Sequence, residues 1–140
     1  MSTHLREKEE RLRQILECLA EEAGKGTPIV VEGKKDLEAL KALNINGRII
    51  SAKSGGKSLL DTVTEIETSG VQEIILLLDF DRRGKESTKY LKRQFERTRI
   101  KPDISFWHKL SNLLGREVKD IEGIVKYMET LKRKIGYSVI

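Results

Sequence analysis

Apolar and polar residues follow two spacings along this chain. Short continuous apolar runs, at Ile29–Val31 and Ile74–Leu78, are typical of strands that are buried on both faces of a sheet. Between such runs, leucine, isoleucine and valine recur every three or four residues, which predicts amphipathic helices. The two patterns alternate, so the chain is predicted to have an α/β fold. Its right-handed βαβ units would build a central parallel sheet of about four strands flanked by helices.

The predicted elements can be placed from these spacings and from the glycine-, proline- and asparagine-containing turns between them. Strands are expected at residues 29–32, 48–51, 73–79 and 102–107. Helices are expected at residues 3–23, 35–43, 58–68, 84–98, 108–114 and 119–134. The first helix is interpreted as an N-terminal amphipathic extension over residues 1–25, followed by one α/β domain over residues 26–140. Its apolar stripe fits packing on that domain, pairing with a second copy (a homodimer), or contact with a larger complex.

Length and composition bound the class of protein. A chain of 140 residues can bury one core without disulfides or structural zinc. The single cysteine, Cys18, is expected to be a small buried residue of the first helix. The histidines, His4 and His108, lie far apart with no partner cysteine, which argues against a zinc site. Neither a membrane span nor a signal peptide is recognisable, so we expect a cytoplasmic protein with no membrane partner.

Acidic residues directly follow two of the predicted strands. Glu32 comes after Ile29–Val31, and Asp79 and Asp81 come after Ile74–Leu78. In an open parallel sheet, ligands bind outside the carboxyl ends of the strands. Three carboxylates gathered there repel one another unless a cation lies between them, and hard oxygen ligands suit Mg²⁺ or Mn²⁺. The structural alternative is a helix cap and a turn. It suits each acid singly, whereas their occurrence together at equivalent strand ends favours a metal site.

These acids carry a family resemblance. Glu32-Gly33 after a first strand, and Asp79-x-Asp81-x-x-Gly84 after a third, resemble the Toprim domain. That domain is shared by topoisomerases, bacterial-type primases, recombination and old-type nucleases, and a ribosomal-RNA maturase. The resemblance covers residues 28–107 and implies a Toprim-like, Rossmann-like fold. It also implies that the Asp pair, Asp79 and Asp81, chelates the metal and that Glu32 serves as the general acid or base. From its position alone, Glu32 is also a candidate metal ligand.

Details of the resemblance narrow the expected activity. The string from Val31 to Asp36 resembles the maturase and small primase-like branch in particular. In that branch, acids near Asp120 also lie close to the site, so Asp120 is an additional candidate, although an acid at the start of a helix suits the helix dipole by default. Topoisomerase versions have a third acid where this chain has Arg83. The topoisomerase tyrosine domain and the zinc and helicase-binding parts of primases have no counterpart, so strand passage and full priming are not expected.

Positive charge is concentrated late in the chain. Residues 82–140 contain 16 Lys+Arg against 7 Asp+Glu, whereas residues 1–81 contain 11 against 15. The basic helix predicted at residues 84–98 begins beside the proposed metal, which favours contact with nucleic-acid phosphates over a merely solvated surface. A glycine-rich loop at residues 54–58 fits either a phosphate contact or a flexible turn. The cations predicted to bind phosphate are Lys34, Lys57, Arg82, Arg83, Lys85 and Lys89.

Together these features predict phosphodiester chemistry on nucleic acid that depends on Mg²⁺ or Mn²⁺, with endonucleolytic cleavage as the leading hypothesis. RNA is slightly favoured over DNA as the partner, and only because of the family resemblance. Two alternatives stay open. One is a non-catalytic nucleic-acid-binding module that acts within a larger complex. The other is a primase-like nucleotidyl transferase fragment.

Overall fold

Four parallel strands form the centre of the molecule in the computed structural model, which describes residues 2–139. The strands are β1 Ile29–Val31, β2 Ile49–Ser51, β3 Glu73–Leu77 and β4 Lys101–Asp103. The helices are α1 Ser2–Gly24, α2 Lys34–Ala42, α3 Leu59–Thr68, α4 Arg82–Arg97, α5 Ser105–Leu114 and α6 Ile121–Val139. A short 3₁₀ turn lies at Ser54–Gly56. The predicted α/β fold with a four-stranded parallel sheet is therefore confirmed.

The order of the strands creates a crevice at the carboxyl ends of β1 and β3. The order is β2-β1-β3-β4, and Val30 in β1 lies opposite Ile50 on one side and Leu76 on the other. The chain runs outward from β1 to β2 and then returns across β1 to form β3. Strand order therefore reverses between β1 and β3, which is the switch point where ligands bind in open α/β sheets. Glu32 and Asp79 follow these two strands.

Alternate residues of the central strands point to two separate layers of core. Val30 and Leu76 pack with α3 and α4 on one face, whereas Val31 and Leu77 pack with α1, α2, α5 and α6 on the other. All four side chains have no exposed surface. Burial on both faces is the reason for the continuous apolar runs. Within residues 2–139, no helix is long and apolar enough to cross a membrane.

The N-terminal helix contributes to the core. Leu12 and Leu19 in α1 are completely buried, Leu16 is nearly so, and the helix contacts α5 and α6. The apolar stripe of α1 is thus covered within the chain. Cys18 lies on another side of α1, off the stripe formed by the three leucines, and is exposed. The prediction of a buried cysteine was therefore wrong.

The chain leaves the fourth strand earlier than predicted. β4 ends at Asp103, whose Oδ1 accepts hydrogen bonds from the backbone N–H and the hydroxyl of Ser105, at 2.8 and 2.6 Å. These bonds turn the chain directly into α5. Phe106 and Trp107, which were predicted to end the strand, are instead buried residues of α5. Phe106, Trp107 and Leu110 together follow helical spacing. The two aromatic residues alone do not distinguish a helix from a strand.

The first turn of α4 packs directly against the segment that follows β3. A Cβ atom added to Gly84 would overlap the carbonyl oxygen of Asp79 and would lie 2.8 Å from the Asp79 Cα. Only glycine allows the two backbones to approach so closely. Gly84 therefore determines how near α4 lies to Asp79.

Replacement of Gly84 by alanine should destabilise the protein by about 1–3 kcal/mol, because the new methyl group forces the two backbones apart. Denaturant unfolding of the variant measures the loss. Gly24→Ala is the control, since Gly24 has open space around its Cα and lies in a helix. That change should alter stability by no more than about 1 kcal/mol, in the stabilising direction. Equal stabilities of Gly84→Ala and the wild type would contradict the prediction.

Candidate metal centre

Glu32 directly follows β1 and is buried, with 8% of its surface exposed. Its backbone carbonyl accepts a hydrogen bond from the N–H of Lys53 at 3.1 Å, which continues the pairing of β1 with β2 beyond the strand ends. The Lys53 ammonium donates to Glu32 Oε1 at 2.8 Å. The other carboxylate oxygen, Oε2, is buried and has no hydrogen-bond partner in the described part of the chain.

The segment after β3 is held in place by α5 and by the loop before α6. The indole Nε1 of Trp107 donates to the carbonyl oxygens of Leu78 and Asp79, at 3.0 and 3.1 Å. The N–H of Phe80 donates to the carbonyl oxygen of Lys119 at 2.6 Å. This last bond joins the loop after β3 to the loop before α6, and it brings Asp120 beside Asp79.

Asp36 links the first turns of two helices. Its side chain is buried in the first turn of α2, where Oδ2 accepts from the N–H of Gly33 at 3.1 Å. Oδ1 accepts from the N–H of Glu122, in the first turn of α6, at 3.2 Å. Asp120 caps the same helix by accepting from the N–H of Gly123 at 2.7 Å. Helix capping therefore fixes both carboxylates.

Three carboxylates converge at this point. Asp36, Asp79 and Asp120 each offer one oxygen, and the three oxygens lie within 4.8 Å of one another. One ion with oxygen bonds of about 2.0–2.6 Å can span that spacing. A donor set made only of carboxylate oxygens, with the unpaired buried oxygen of Glu32 close by, suits Mg²⁺ or Mn²⁺. The residues present therefore fit a divalent ion.

The crowding of acids changes their proton affinities. Burial, followed by the negative charge of Glu32 and then by the other acids nearby, raises the pKa of Asp79 to about 7. Burial also raises the pKa of Asp36, although the N–H groups of Glu122 and Gly33 oppose that change. Near neutral pH, Asp79 is therefore divided between its protonated and ionised forms. A divalent cation favours the ionised form, because it replaces the proton.

The structure brings only some of the predicted site residues together. Glu32 and Asp79 are neighbours at the switch point, and Asp120 lies with Asp79 in the carboxylate cluster. Asp81 is exposed and caps α4, where its Oδ1 accepts from the N–H of Gly84 at 2.8 Å. It lies outside the three-carboxylate cluster, and its charge is the weakest of the influences on the pKa of Asp79.

Asp36 was not predicted as a site residue. Four residues after Glu32, it lies in the first turn of the helix that starts at the end of β1. An acid in that position is typical of a capping box, and the side chain of Asp36 does cap α2. The feature that could have identified Asp36 as a site residue is its location at the carboxyl end of β1, where a capping acid also faces the crevice.

The predicted phosphate-binding cations fall into two groups, those that are paired with an acid and those that are not. Lys57 pairs with Glu65 on α3 at 3.1 Å, and Arg82 pairs with Glu86 on α4 at 3.6 Å. The others are exposed and, over residues 2–139, form no ion pair; they are Lys34, Arg83, Lys85 and Lys89. The last three line α4, which begins directly after Asp81.

The fold and the site together define an open parallel α/β domain with a carboxylate centre at its switch point. The family model of the Toprim domain matches residues 26–105. The chain therefore belongs to the Toprim domain family.

Comparison with individual proteins gives relatives of similar length. A UPF0292 protein of Methanosarcina barkeri is 35% identical over 94% of this chain and 90% of its own length. A UPF0292 protein of Methanocaldococcus jannaschii is 36% identical over 85% of this chain and 91% of its own length. The solved structure of an Aquifex aeolicus protein has a TM-score of 0.65 at 27% identity, over 78% of this chain and 94% of that chain.

The raised pKa of Asp79 predicts a dependence of stability on pH. The folded-state pKa, about 7, lies above the ordinary value of 3.8, so the folded protein binds this proton more readily than the unfolded chain. The stabilising contribution is fully present below about pH 4 and is lost as the pH rises through 7. Asp79→Asn removes the titration. The variant should therefore be the more stable protein above pH 7, and its advantage should disappear towards pH 4.

Addition of Mg²⁺ or Mn²⁺ at pH 7.5 should reverse this order, because the ion stabilises a cluster that contains the Asp79 carboxylate. Thermal unfolding of both proteins, with the ion or with EDTA, gives the comparison. Glu38→Gln, an exposed change on α2, should follow the wild type throughout. A parallel pH dependence of the wild type and Asp79→Asn would contradict the assignment of the titrating group.

Proposed function

We propose that this protein cleaves nucleic acid endonucleolytically in a reaction that requires Mg²⁺ or Mn²⁺. The observation that supports the proposal most strongly is the convergence of Asp36, Asp79 and Asp120 at the switch point, next to the buried Glu32. Acids so arranged are costly to the folded state unless a cation joins them. A basic helix begins beside them, which supports a cation that acts on a phosphate-containing polymer.

The proposed roles follow from the positions of the side chains. Asp79, Asp36 and Asp120 would hold the ion, and Asp81 would contribute through the carboxylate oxygen that does not cap α4. When bound, the ion would stabilise the negative charge that develops on the transferring phosphoryl group. Glu32 would be a further ligand of the ion, and it would accept a proton from the attacking water or return one to the leaving oxygen.

The basic side of α4 is proposed to hold the polymer. Lys85 and Lys89 lie one turn apart on this helix and are exposed. Cations without an acidic partner are available to neutralise phosphates, and such contacts position the backbone without reading the bases. Lys34, at the start of α2, would extend the same contact on the other side of the crevice.

RNA is the proposed substrate, on the strength of the resemblance to the ribosomal-RNA maturase branch. Nothing in the geometry of α4 separates RNA from DNA, because phosphates are common to both. Membership of the maturase and small primase-like branch stays a prediction.

A non-catalytic binding module is the second candidate function. Asp36, Asp81 and Asp120 all cap helices, so their presence has a structural reason that requires no metal. The cations of α4 would bind phosphates in either case. A primase-like nucleotidyl transferase is the third candidate, and it would differ from both in requiring nucleoside triphosphates.

The cleavage proposal is tested with labelled structured RNA, single-stranded RNA and duplex DNA, each with Mg²⁺, Mn²⁺ or EDTA. We expect cleavage that needs the ion and falls at least about 100-fold in Asp79→Asn. Glu38→Gln should cleave like the wild type. Equal cleavage in EDTA, or by Asp79→Asn, would refute a metal-dependent nuclease. A gel shift without cleavage would leave the binding module, and product growth only with triphosphates would indicate the transferase.

Binding through α4 predicts a characteristic response to salt. Lys85→Gln/Lys89→Gln should weaken binding of all three polymers to a similar extent and should lower the slope of log Kd against log salt by about 2. Lys92→Gln, on the same helix, is the control, because Lys92 is already paired with Glu96 at 3.2 Å and should change the slope less. A sequence-dependent loss, or an unchanged slope, would show that these lysines do not contact phosphates.

A further inference from the structure

Lys53 is held opposite Glu32 by the sheet itself. β2 ends at Ser51, but its pairing with β1 continues, since the N–H of Ala52 donates to the carbonyl of Val31 at 2.9 Å. The next backbone hydrogen bond runs from the N–H of Lys53 to the carbonyl of Glu32, and the side chains of the same two residues form the 2.8 Å ion pair. Strand register therefore places the backbone of Lys53 beside Glu32, which brings the ammonium within reach of the carboxylate.

This ion pair differs from the others. Among the ion pairs formed within residues 2–139, it is the one that includes a carboxylate of the candidate metal centre. The Glu32 side chain is only 11% exposed, whereas that of Lys53 is 41% exposed. Lys57, four residues later, pairs with Glu65 instead. Lys53 thus joins a buried acid of the centre to the solvent side of the crevice.

Lys53 and a bound divalent ion would both interact with the carboxylate of Glu32. Lys53 uses Oε1 of Glu32, and a divalent ion drawn to the buried, unpaired Oε2 would lie close to the ammonium. Like charges at such range repel, so the ion and the ammonium would each weaken the other's contact with Glu32. The half-exposed lysine can move, because it has a flexible four-carbon stem and solvent on one side.

We propose that Lys53 and the divalent ion compete for Glu32, and that ion binding releases the Lys53 ammonium to a phosphate of the bound nucleic acid. Lys53 would then be a positioning residue that couples the two ligands. By linkage, bound nucleic acid would strengthen ion binding by the same factor. The inference rests on the proposed function in assuming that Glu32 faces both an ion and a phosphate.

The first test measures Mn²⁺ binding by calorimetry in the absence of nucleic acid. Lys53→Met removes the charge but keeps most of the stem, and it should lower the Kd for Mn²⁺ by about tenfold. Lys53→Arg keeps the charge, and Lys41→Met removes an exposed charge of α2 that has no proposed role. Both controls should stay within about twofold of the wild type.

A second measurement uses the unaltered protein and does not depend on how well a variant folds. Limited acylation followed by mass spectrometry reports the reactivity of each lysine. Lys53 should react faster with Mn²⁺ present than with EDTA, whereas the reactivity of Lys57 should stay the same. An unchanged reactivity of Lys53 at saturating Mn²⁺ would overturn the competition.

The coupling to nucleic acid is tested with RNA whose linkages resist cleavage. Mn²⁺ should increase the affinity of the wild type for this RNA about fivefold more than it increases that of Lys53→Met. Equal gains in the two proteins would refute the release of Lys53 to a phosphate.

The outcomes separate this inference from the proposed function. Equal Mn²⁺ affinity of the wild type and Lys53→Met overturns the competition but leaves metal-dependent cleavage standing. If Lys53→Met binds Mn²⁺ and the wild type does not, the competition is supported and Lys53 excludes the ion in the absence of nucleic acid. Failure of both proteins to bind the ion overturns the competition and the metal-dependent function together.

Discussion

Mutual repulsion between carboxylates at the carboxyl ends of β1 and β3 is the constraint to which the surrounding structure responds. Each acid but one has a compensating partner. Lys53 neutralises one oxygen of Glu32, and backbone N–H groups at helix starts bind Asp36, Asp81 and Asp120. No hydrogen bond to the side chain of Asp79 is found in residues 2–139, and its pKa rises to about 7. The repulsion is thus relieved by proton uptake at one residue, which is where a cation would have its largest effect.

The helix starts that stabilise the fold also position the acids of the candidate metal centre. An N-terminal helical turn presents free N–H groups, which hold a carboxylate in a fixed orientation without neutralising it fully. α2, α4 and α6 all begin at this edge of the sheet, and each supplies a capping acid. The acids are therefore preorganised by secondary structure. An ion that binds there needs little rearrangement of the backbone, and this lowers the cost of binding.

The sheet, Glu32 and Asp79 were predictable from the pattern of the chain, and Asp120 was a candidate through the family resemblance, for identifiable reasons. Buried strands produce continuous apolar runs, and an acid directly after such a run lies at the sheet edge where ligands bind, so Glu32 and Asp79 could be found. Asp36 could not be separated from an ordinary cap, because capping and metal binding use the same residue type at the same place. The end of β4 was missed because the bond between Asp103 and Ser105 decides it, and pattern alone does not reveal that bond.

Asp120 was a candidate only through the family resemblance, because the apolar and polar pattern around α6 does not show that this helix reaches the centre. Asp120 reaches Asp79 because the loop before α6 is bound to Phe80, and α6 is held by its packing against α1 and α2. Asp120 lies beyond residues 26–105, the segment that matches the family model, and α1 lies before it. The flanking helices therefore support the centre as well as the core. Contacts in α1 that are remote from any carboxylate thus help to determine whether the third carboxylate of the cluster is in place.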